Sequence, residues 1–334
     1  MGNIFESLFI KSELKMKNEK VIGIDLGGTN IKAGIVNREG KIIKKIAVAT
    51  NAQKGPNEIL NRIYLAIDSL LKKNNFKIKG IGIGLPGIVE ASTGLVKNPP
   101  NLPGWKSVPI GKLLKSRYNL PVFVENDANA AAIGELIFGS GKNLNSFIFV
   151  TLGTGVGGGI IINKKLFRGS SGGAGELGHI SINHNGPKCN CGSRGCIEAY
   201  LGNNYLVRRM KGRLKNNPNS LTALLMRENN NELTPYLINL AAKRGDELAI
   251  NFIAESGRLL GFALSSAINL FDIHNVIIGG GVSGFGRLLT KPALEAIKER
   301  VLAPLKSKVS IKLAKLKNNA GIQGASALIF YNIG

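Results

Sequence analysis

Only three of the 334 residues are cysteine, which excludes a disulfide scaffold. No apolar run approaches the ~20 residues that a helix needs to cross a bilayer, so a membrane partner is not expected. Acidic residues are scarce, 21 against 44 lysines and arginines, and the net charge is +23. A charge of that size invites nucleic acid as a partner. Two further absences argue otherwise. No run reaches five basic residues, the lysines falling in pairs such as Lys44-Lys45, Lys72-Lys73 and Lys164-Lys165, and aromatics to stack on bases are only 6% of the chain. Solvated basic faces are the better reading, and attraction of a polyanionic phosphate substrate is a weaker second; no specific nucleic-acid binding is expected. Residues 1–20 read as an N-terminal arm. Glu6 and Lys11 around a short apolar patch make a poor signal peptide, and Glu6 also breaks the myristoylation pattern. Without an export signal, the expected compartment is cytoplasmic.

The three cysteines are not scattered. Cys189, Cys191 and Cys196 share one eight-residue window, in C-x-C-G-x-x-G-C, and His179 stands ten positions before the first. Three thiolates and an imidazole are the ligand set of a closed tetrahedral zinc site. Unrelated reduced thiols would not be expected to cluster so, and Cys189 and Cys191 are too close for easy disulfide geometry. Glu176 and Glu198 are interleaved with these residues, and a zinc site does not need them. Their presence points to a metal knuckle that shapes a pocket for a polar ligand.

A second pattern is duplicated. The strand-like run Val21–Asp25 leads into Leu26-Gly27-Gly28-Thr29-Asn30, a second apolar run around Ile35, the turn 37–40 and a third strand from Lys41. Phe147–Thr151, Leu152-Gly153-Thr154-Gly155 and Ile160–Asn163 repeat this without a gap, matching Leu26 with Leu152 and Ile35 with Ile161. Glycines let backbone N–H groups approach an anion closely, and Thr29 and Thr154 add hydroxyl donors. Gly279-Gly280-Gly281 follows a third apolar run, Val276–Ile278. One glycine turn alone is as readily structural as functional, but three after apolar strands point to a nucleotide. The candidate nucleotide contacts are Asp25, Gly27, Gly28, Thr29, Asn30 and Lys32, then Gly153, Thr154 and Gly155, then Gly280 and Gly281. Gly153-x-Gly155-x-x-Gly158 matches the dinucleotide fingerprint, yet the residues that follow read as strand where that motif requires helix. No G-x-x-x-x-G-K-[ST] is present, which counts against a Walker-type site.

An acid stands where chemistry would need one. Val122–Val124 reads as a strand, followed at once by Glu125-Asn126-Asp127 and a helix from about Ala130. Ligands of α/β sheets bind at the carboxyl ends of strands, and a carboxylate there can accept a substrate hydroxyl's proton during phosphoryl transfer. The alternative is that Asn126 or Asp127 only caps the helix.

The remaining periodicities fit an α/β protein. They predict a helix over 57–71, a short strand over 81–85, and a long helix over 246–270, broken near Gly257 or Gly261. A closing helix over about 321–334 is expected to pack back on the first domain. The expected domains are 21–138 and 139–320, with the border near Gly139-Ser140-Gly141.

IDLGGTN at 24–30, ENDANAAA at 125–132, GTGVGGG at 153–159 and GELGH…CNCGSRGCIEAY at 175–200 together resemble the ROK family (repressor, open reading frame, sugar kinase). The last motif is highly specific; the others fit the wider actin-like sugar kinase superfamily. The resemblance implies two ribonuclease-H-like domains flanking a cleft, ATP and Mg²⁺, and transfer of the γ-phosphoryl group to a hexose hydroxyl. By position it implies Asp127 as general base and Asn126 as a sugar contact, with Glu176, His179 and Glu198 holding sugar hydroxyls. It also implies His179, Cys189, Cys191 and Cys196 as zinc ligands, His179 using one ring nitrogen for metal and the other for sugar. Asn101, in PPNLPGW, resembles a further sugar contact, and that segment is most similar to the glucokinase branch. Glucose phosphorylated at its 6-hydroxyl is therefore expected, N-acetylmannosamine is the second choice, and a homodimer or higher homo-oligomer is implied. Repressors of the family carry a DNA-binding module of roughly 60 residues ahead of the kinase-like body. Only twenty residues precede Val21, so an enzyme is expected.

Overall fold

A computed structural model describes residues 19–72, 76–97, 99 and 101–333. Apart from its last two residues, the expected N-terminal arm lies outside them, as does Pro100. The first sheet is built from β1 (Lys20–Leu26), β2 (Asn30–Asn37), β3 (Ile42–Ala49), β4 (Ile78–Leu85) and β8 (Val122–Asn126), in the order β3-β2-β1-β4-β8. β1 and β4 are buried almost throughout, while the edge strand β3 alternates residue by residue. A strand covered on both faces must be apolar on both, and an edge strand with one solvated face need not be. Lys44 and Lys45 lie on that edge, where charge discourages pairing with another chain.

Three helices accompany these strands in sequence: α1 (Pro56–Leu71), α2 (Ile110–Tyr118) and α3 (Asp127–Phe138). α1 begins on Pro56, whose missing N–H costs nothing in a first turn, and buries Ile59, Ile63, Ile67 and Leu70 at helical spacing. A small sheet of β5 (Ile88–Glu90), β6 (Leu95–Lys97) and β7 (Ser107–Val108) lies between β4 and α2 in the chain.

The second sheet repeats the first. β9 (Phe147–Leu152), β10 (Val156–Ile162), β11 (Lys165–Phe167), β12 (Asn275–Gly279) and β13 (Ser310–Leu313) run in the order β11-β10-β9-β12-β13. Both sheets join three antiparallel strands to two parallel ones. The pairing is not gapless, however. β1 pairs Leu26 with Ile31, whereas β9 pairs Leu152 with Val156, one residue nearer. The cause is a shorter turn, closed by Gly153 N to Gly155 O (2.9 Å) where the first copy closes Gly27 N to Asn30 O (3.0 Å). The residue opposite Ile22 is Ile35, so its counterpart opposite Ile148 is Ile160, not Ile161.

Between β11 and β12 come α4 (Glu198–Leu201), α5 (Asn203–Leu214), α6 (Leu221–Glu228), α7 (Pro235–Lys243) and α8 (Glu247–Phe271). α8 is continuous through both glycines at which a break was expected. A Cβ at Gly257 would strike the Leu289 carbonyl and one at Gly261 the Ala293 carbonyl, both on α9 (Arg287–Arg300). These glycines serve close helix packing, not helix interruption. The last helix, α10 (Ala320–Ile333), lies against β1 and β4. Gly23 and Gly82 are bare because Ile322, Ala325 and Ser326 occupy the space of a side chain.

The contacts divide the chain into two units. The first holds the described residues up to Asn143, Arg168–Ala174, and those from Asn318 on; the second holds Leu144–Phe167 and Gly175–Lys317. The border thus lies a few residues beyond 139, and a seven-residue excursion, 168–174, belongs to the first unit. No helix among the described residues is long and apolar enough to cross a membrane.

Candidate active site

In the first unit the candidate residues collect at the carboxyl ends of the parallel strands. Asp25 on β1, Gly84 on β4 and Glu125 on β8 stand in register, and Asn126 and Asp127 follow directly. Gly84 leaves room between the two acids: a Cβ there would touch Ala130 at 3.4 Å and the Asp127 backbone at 3.6 Å.

Of the two residues that could cap this helix, Asn126 is the one that does. Its Oδ1 accepts from the N–H groups of Ala128 (2.9 Å) and Asn129 (3.2 Å), while its Nδ2 donates to the Gly87 carbonyl (3.2 Å). Asp127 accepts one N–H, from Ala128 at 2.8 Å through Oδ1, and its residue is exposed. Protein crowds its carboxyl closely enough that lost hydration pushes the pKa up, while backbone donors pull it back; access to solvent limits that rise. Asp25, half-buried, is pushed up to about 6. Burial is the chief cause, Lys32 opposes it, and the charge of Asp127 adds to it. Lys32 is the cross-strand partner of Asp25.

The first glycine turn is held by a residue that the motif reading passed over. Thr50, fully buried, donates through Oγ1 to the Gly27 carbonyl (2.7 Å), and its N–H donates to the Thr29 carbonyl (2.9 Å). Nothing in its local sequence distinguishes a threonine at the end of an edge strand. Asn101 packs on Gly28, whose absent Cβ would meet it at 3.1 Å. Leu102 and Trp105 are buried and anchor that loop, leaving Asn101 exposed in the left-handed region, φ 66°.

In the second unit, Gly153–Gly155 and Gly280–Gly281 follow β9 and β12, which are parallel neighbours, so both turns share one sheet edge. Gly280, at φ 82°, packs on the backbone of Leu152. Gly153 and Gly281 have open space where a side chain would be, room that a phosphate-bearing ligand can use. β10 continues as a strand through Gly158, which rules out the helix that a dinucleotide fingerprint requires. Asn203, also missed in the sequence, donates its N–H to the Gly153 carbonyl at 2.9 Å.

The cysteine–histidine cluster is assembled. The ligand atoms of His179, Cys189, Cys191 and Cys196 all lie within 4.8 Å of one another. Cys191 Sγ and Cys196 Sγ are 3.7 Å apart, and Cys189 Sγ is 3.8 Å from His179 Nδ1. Two sulfurs each ~2.3 Å from a tetrahedral centre stand ~3.8 Å apart, so the cluster fits zinc. The other nitrogen of His179, Nε2, faces Glu176 Oε2 at 3.9 Å. Glu198 links cluster to glycine turn: Oε1 is 3.9 Å from Cys189 Sγ, and Oε2 accepts the Val156 N–H at 3.0 Å. A Cβ at Gly155 would collide with that carboxylate. The short turn Leu177–His179 is seated because Gly178 lies against the Val156 carbonyl.

The ROK family profile matches residues 21–331. The chain belongs to the ROK family. As a ROK protein it has the actin-like ATPase type of α/β fold, and its relatives divide by activity. It is 35% identical over 319 residues to a glucokinase of Thermotoga maritima, covering 96% of this chain and all of that one. It is also 35% identical to a xylose repressor of Caldicellulosiruptor bescii, over 92% of this chain and 77% of that one. Among solved structures, a ROK glucokinase of Streptomyces griseus in complex with glucose and AMPPNP superposes with a TM-score of 0.80 at 36% identity. That match covers 92% of this chain and 98% of that one. Sugar kinase is the activity that these relatives support for the chain.

Proposed function

We propose that this ROK protein is an ATP-dependent glucokinase, transferring the γ-phosphoryl group of ATP to the 6-hydroxyl of glucose. The observation that carries the reading is the division of labour at the end of β8. Asn126 caps the helix through two N–H groups, so Asp127 is free to act as a base. Asp127 accepts the proton of the attacking hydroxyl as the oxygen turns on phosphorus. Glu176, His179 and Glu198 hold sugar hydroxyls, together with Asn101 and Asn126. The Gly27–Asn30, Gly153–Gly155 and Gly280–Gly281 turns offer N–H groups to the nucleotide. Asp25, at the carboxyl end of β1, is a carboxylate donor suited to a hard divalent cation. Mg²⁺ held there would neutralise the phosphates of ATP.

Zinc in the cluster would act structurally. Bound at Nδ1, it would fix the tautomer of His179 and leave Nε2 to face Glu176 and a sugar hydroxyl.

The test is kcat/KM for glucose, N-acetylmannosamine, N-acetylglucosamine and fructose with saturating ATP. Glucose is expected to win. A site of paired polar groups rejects an analogue that leaves them unpaired by up to ~10⁴–10⁵-fold. A tenfold preference for N-acetylmannosamine, ~1.4 kcal/mol in the transition state, would rename the substrate. No turnover of any sugar, with sugar-dependent DNA binding in its place, would favour the repressor relatives.

A further inference from the structure

Among the described residues Glu125 is one of few buried charged ones, its side chain 3% exposed, and the proposed chemistry leaves it without a role. Its carboxylate gathers three donors. Oε2 accepts from Arg168 Nε at 2.8 Å; Oε1 accepts from the Asn126 N–H at 3.0 Å and from Asn129 Nδ2 at 3.2 Å. Two of these donors flank Asp127 in the chain, one before it and one in the first turn of α3. The third, Arg168, comes from the excursion 168–174, which belongs to the first unit.

That excursion is a closed loop. Ala174 N donates to the Arg168 carbonyl at 3.1 Å, and Gly172, at φ 85°, lies on the Val89 carbonyl, where a Cβ would come within 2.9 Å. Val89 is two residues beyond Gly87, the acceptor of Asn126 Nδ2. The Asp127 turn is thus held at two points, by Gly87 through Asn126 and by Glu125, whose charge Arg168 balances.

We propose that Arg168 and Glu125 are positioning residues for Asp127: the ion pair holds the Glu125 carboxylate in place, so that it fixes the Asn126–Asn129 turn and aims the base. This rests on the reading of Asp127 as the base. A buried carboxylate stripped of its cation must take up a proton or admit water, and either loosens the groups it holds. Lysine at 168 would keep the charge but lose the planar guanidinium that presents Nε.

The test compares Arg168→Gln, Arg168→Lys, Glu125→Gln and the double variant Glu125→Gln/Arg168→Gln in the full chain. Two readouts are taken: kcat and KM for ATP and sugar, and amide exchange of segment 125–130 against β9–β10. Displacing a catalytic group by ~1 Å can cost ~100-fold, so R168Q is expected to lower kcat by ~10–100-fold. KM for ATP should stay within about threefold, because the nucleotide turns are untouched. Exchange should rise about tenfold or more in 125–130 only, and R168K should recover part of kcat. Because the lone buried charge does the damage, the double variant should lose less than the product of the single losses. Wild-type kcat with wild-type exchange in R168Q, or multiplicative losses in the double variant, would overturn the proposal. If R168Q fails to fold, R168K carries the same two readouts. A wild-type chain that phosphorylates no hexose would defeat the kinase reading, and the exchange data would still judge the positioning role.

Discussion

Asn126 and Asp127 are neighbours whose substitutions should differ in stability, and changing each in turn separates the cap from the acid. Asn126→Ala removes two N–H acceptor contacts and the tie to Gly87. Losing an N-cap costs ~1–2 kcal/mol, and for a unit of this size each kcal/mol lowers Tm by roughly 2–4 °C. A fall of about 2–8 °C follows. Asp127→Asn keeps an oxygen to accept the Ala128 N–H and removes a charge that opposes ionisation of Asp25. Its Tm should therefore stay within about 1 °C of the wild type. Turnover should fall by at least ~100-fold in Asp127→Asn, the low end for loss of a general base, although its stability is kept. Thermal melts and a coupled assay of ADP release on the same preparations suffice. An Asp127→Asn protein that melts as early as Asn126→Ala while keeping its turnover would refute the reasoning, since Asp127 would then be the cap.

Three other outcomes are expected. The purified chain should carry about one zinc, by elemental analysis; burial pushes the Cys189 thiol up to about 12, so the metal must displace its proton, and Cys196→Ser should lose the metal and loosen 176–198. Asp25 has a folded pKa of about 6 against 3.8, so its ionisation costs stability that is absent below pH 3.8 and grows as pH rises through 6. In Mg²⁺-free buffer, Asp25→Asn should then gain on the wild type by of order 1–3 kcal/mol between pH 4 and pH 7.5, read by urea unfolding, and an unchanged difference would contradict the burial argument. Binding to DNA should be weak and collapse with salt, as dispersed lysines supply only the phosphate contribution; sequence-selective binding at physiological salt would show otherwise.

The sequence by itself determined the element types, the duplication and the candidate side chains. Local signals sufficed for these. Apolar strands buried on both faces, as in β1 and β4, leave continuous hydrophobic runs; glycine turns stand directly after them; and the cysteines cluster within eight residues. Three matters were decided only by the tertiary structure. The hairpin registers differ by one residue because turn length sets pairing, and a gapless alignment does not reveal turn geometry. Gly257 and Gly261 read as helix breaks, yet α8 runs through them, because the reason for a missing side chain lies on another helix. Thr50, Asn203, Glu125 and Arg168 gained their roles from residues distant in the chain or from burial, so no spacing rule could have picked them out. Asn126 and Asp127 show the boundary well. Either could cap a helix by composition, and only the direction of the two side chains in the folded chain assigns the cap to one and leaves the other free.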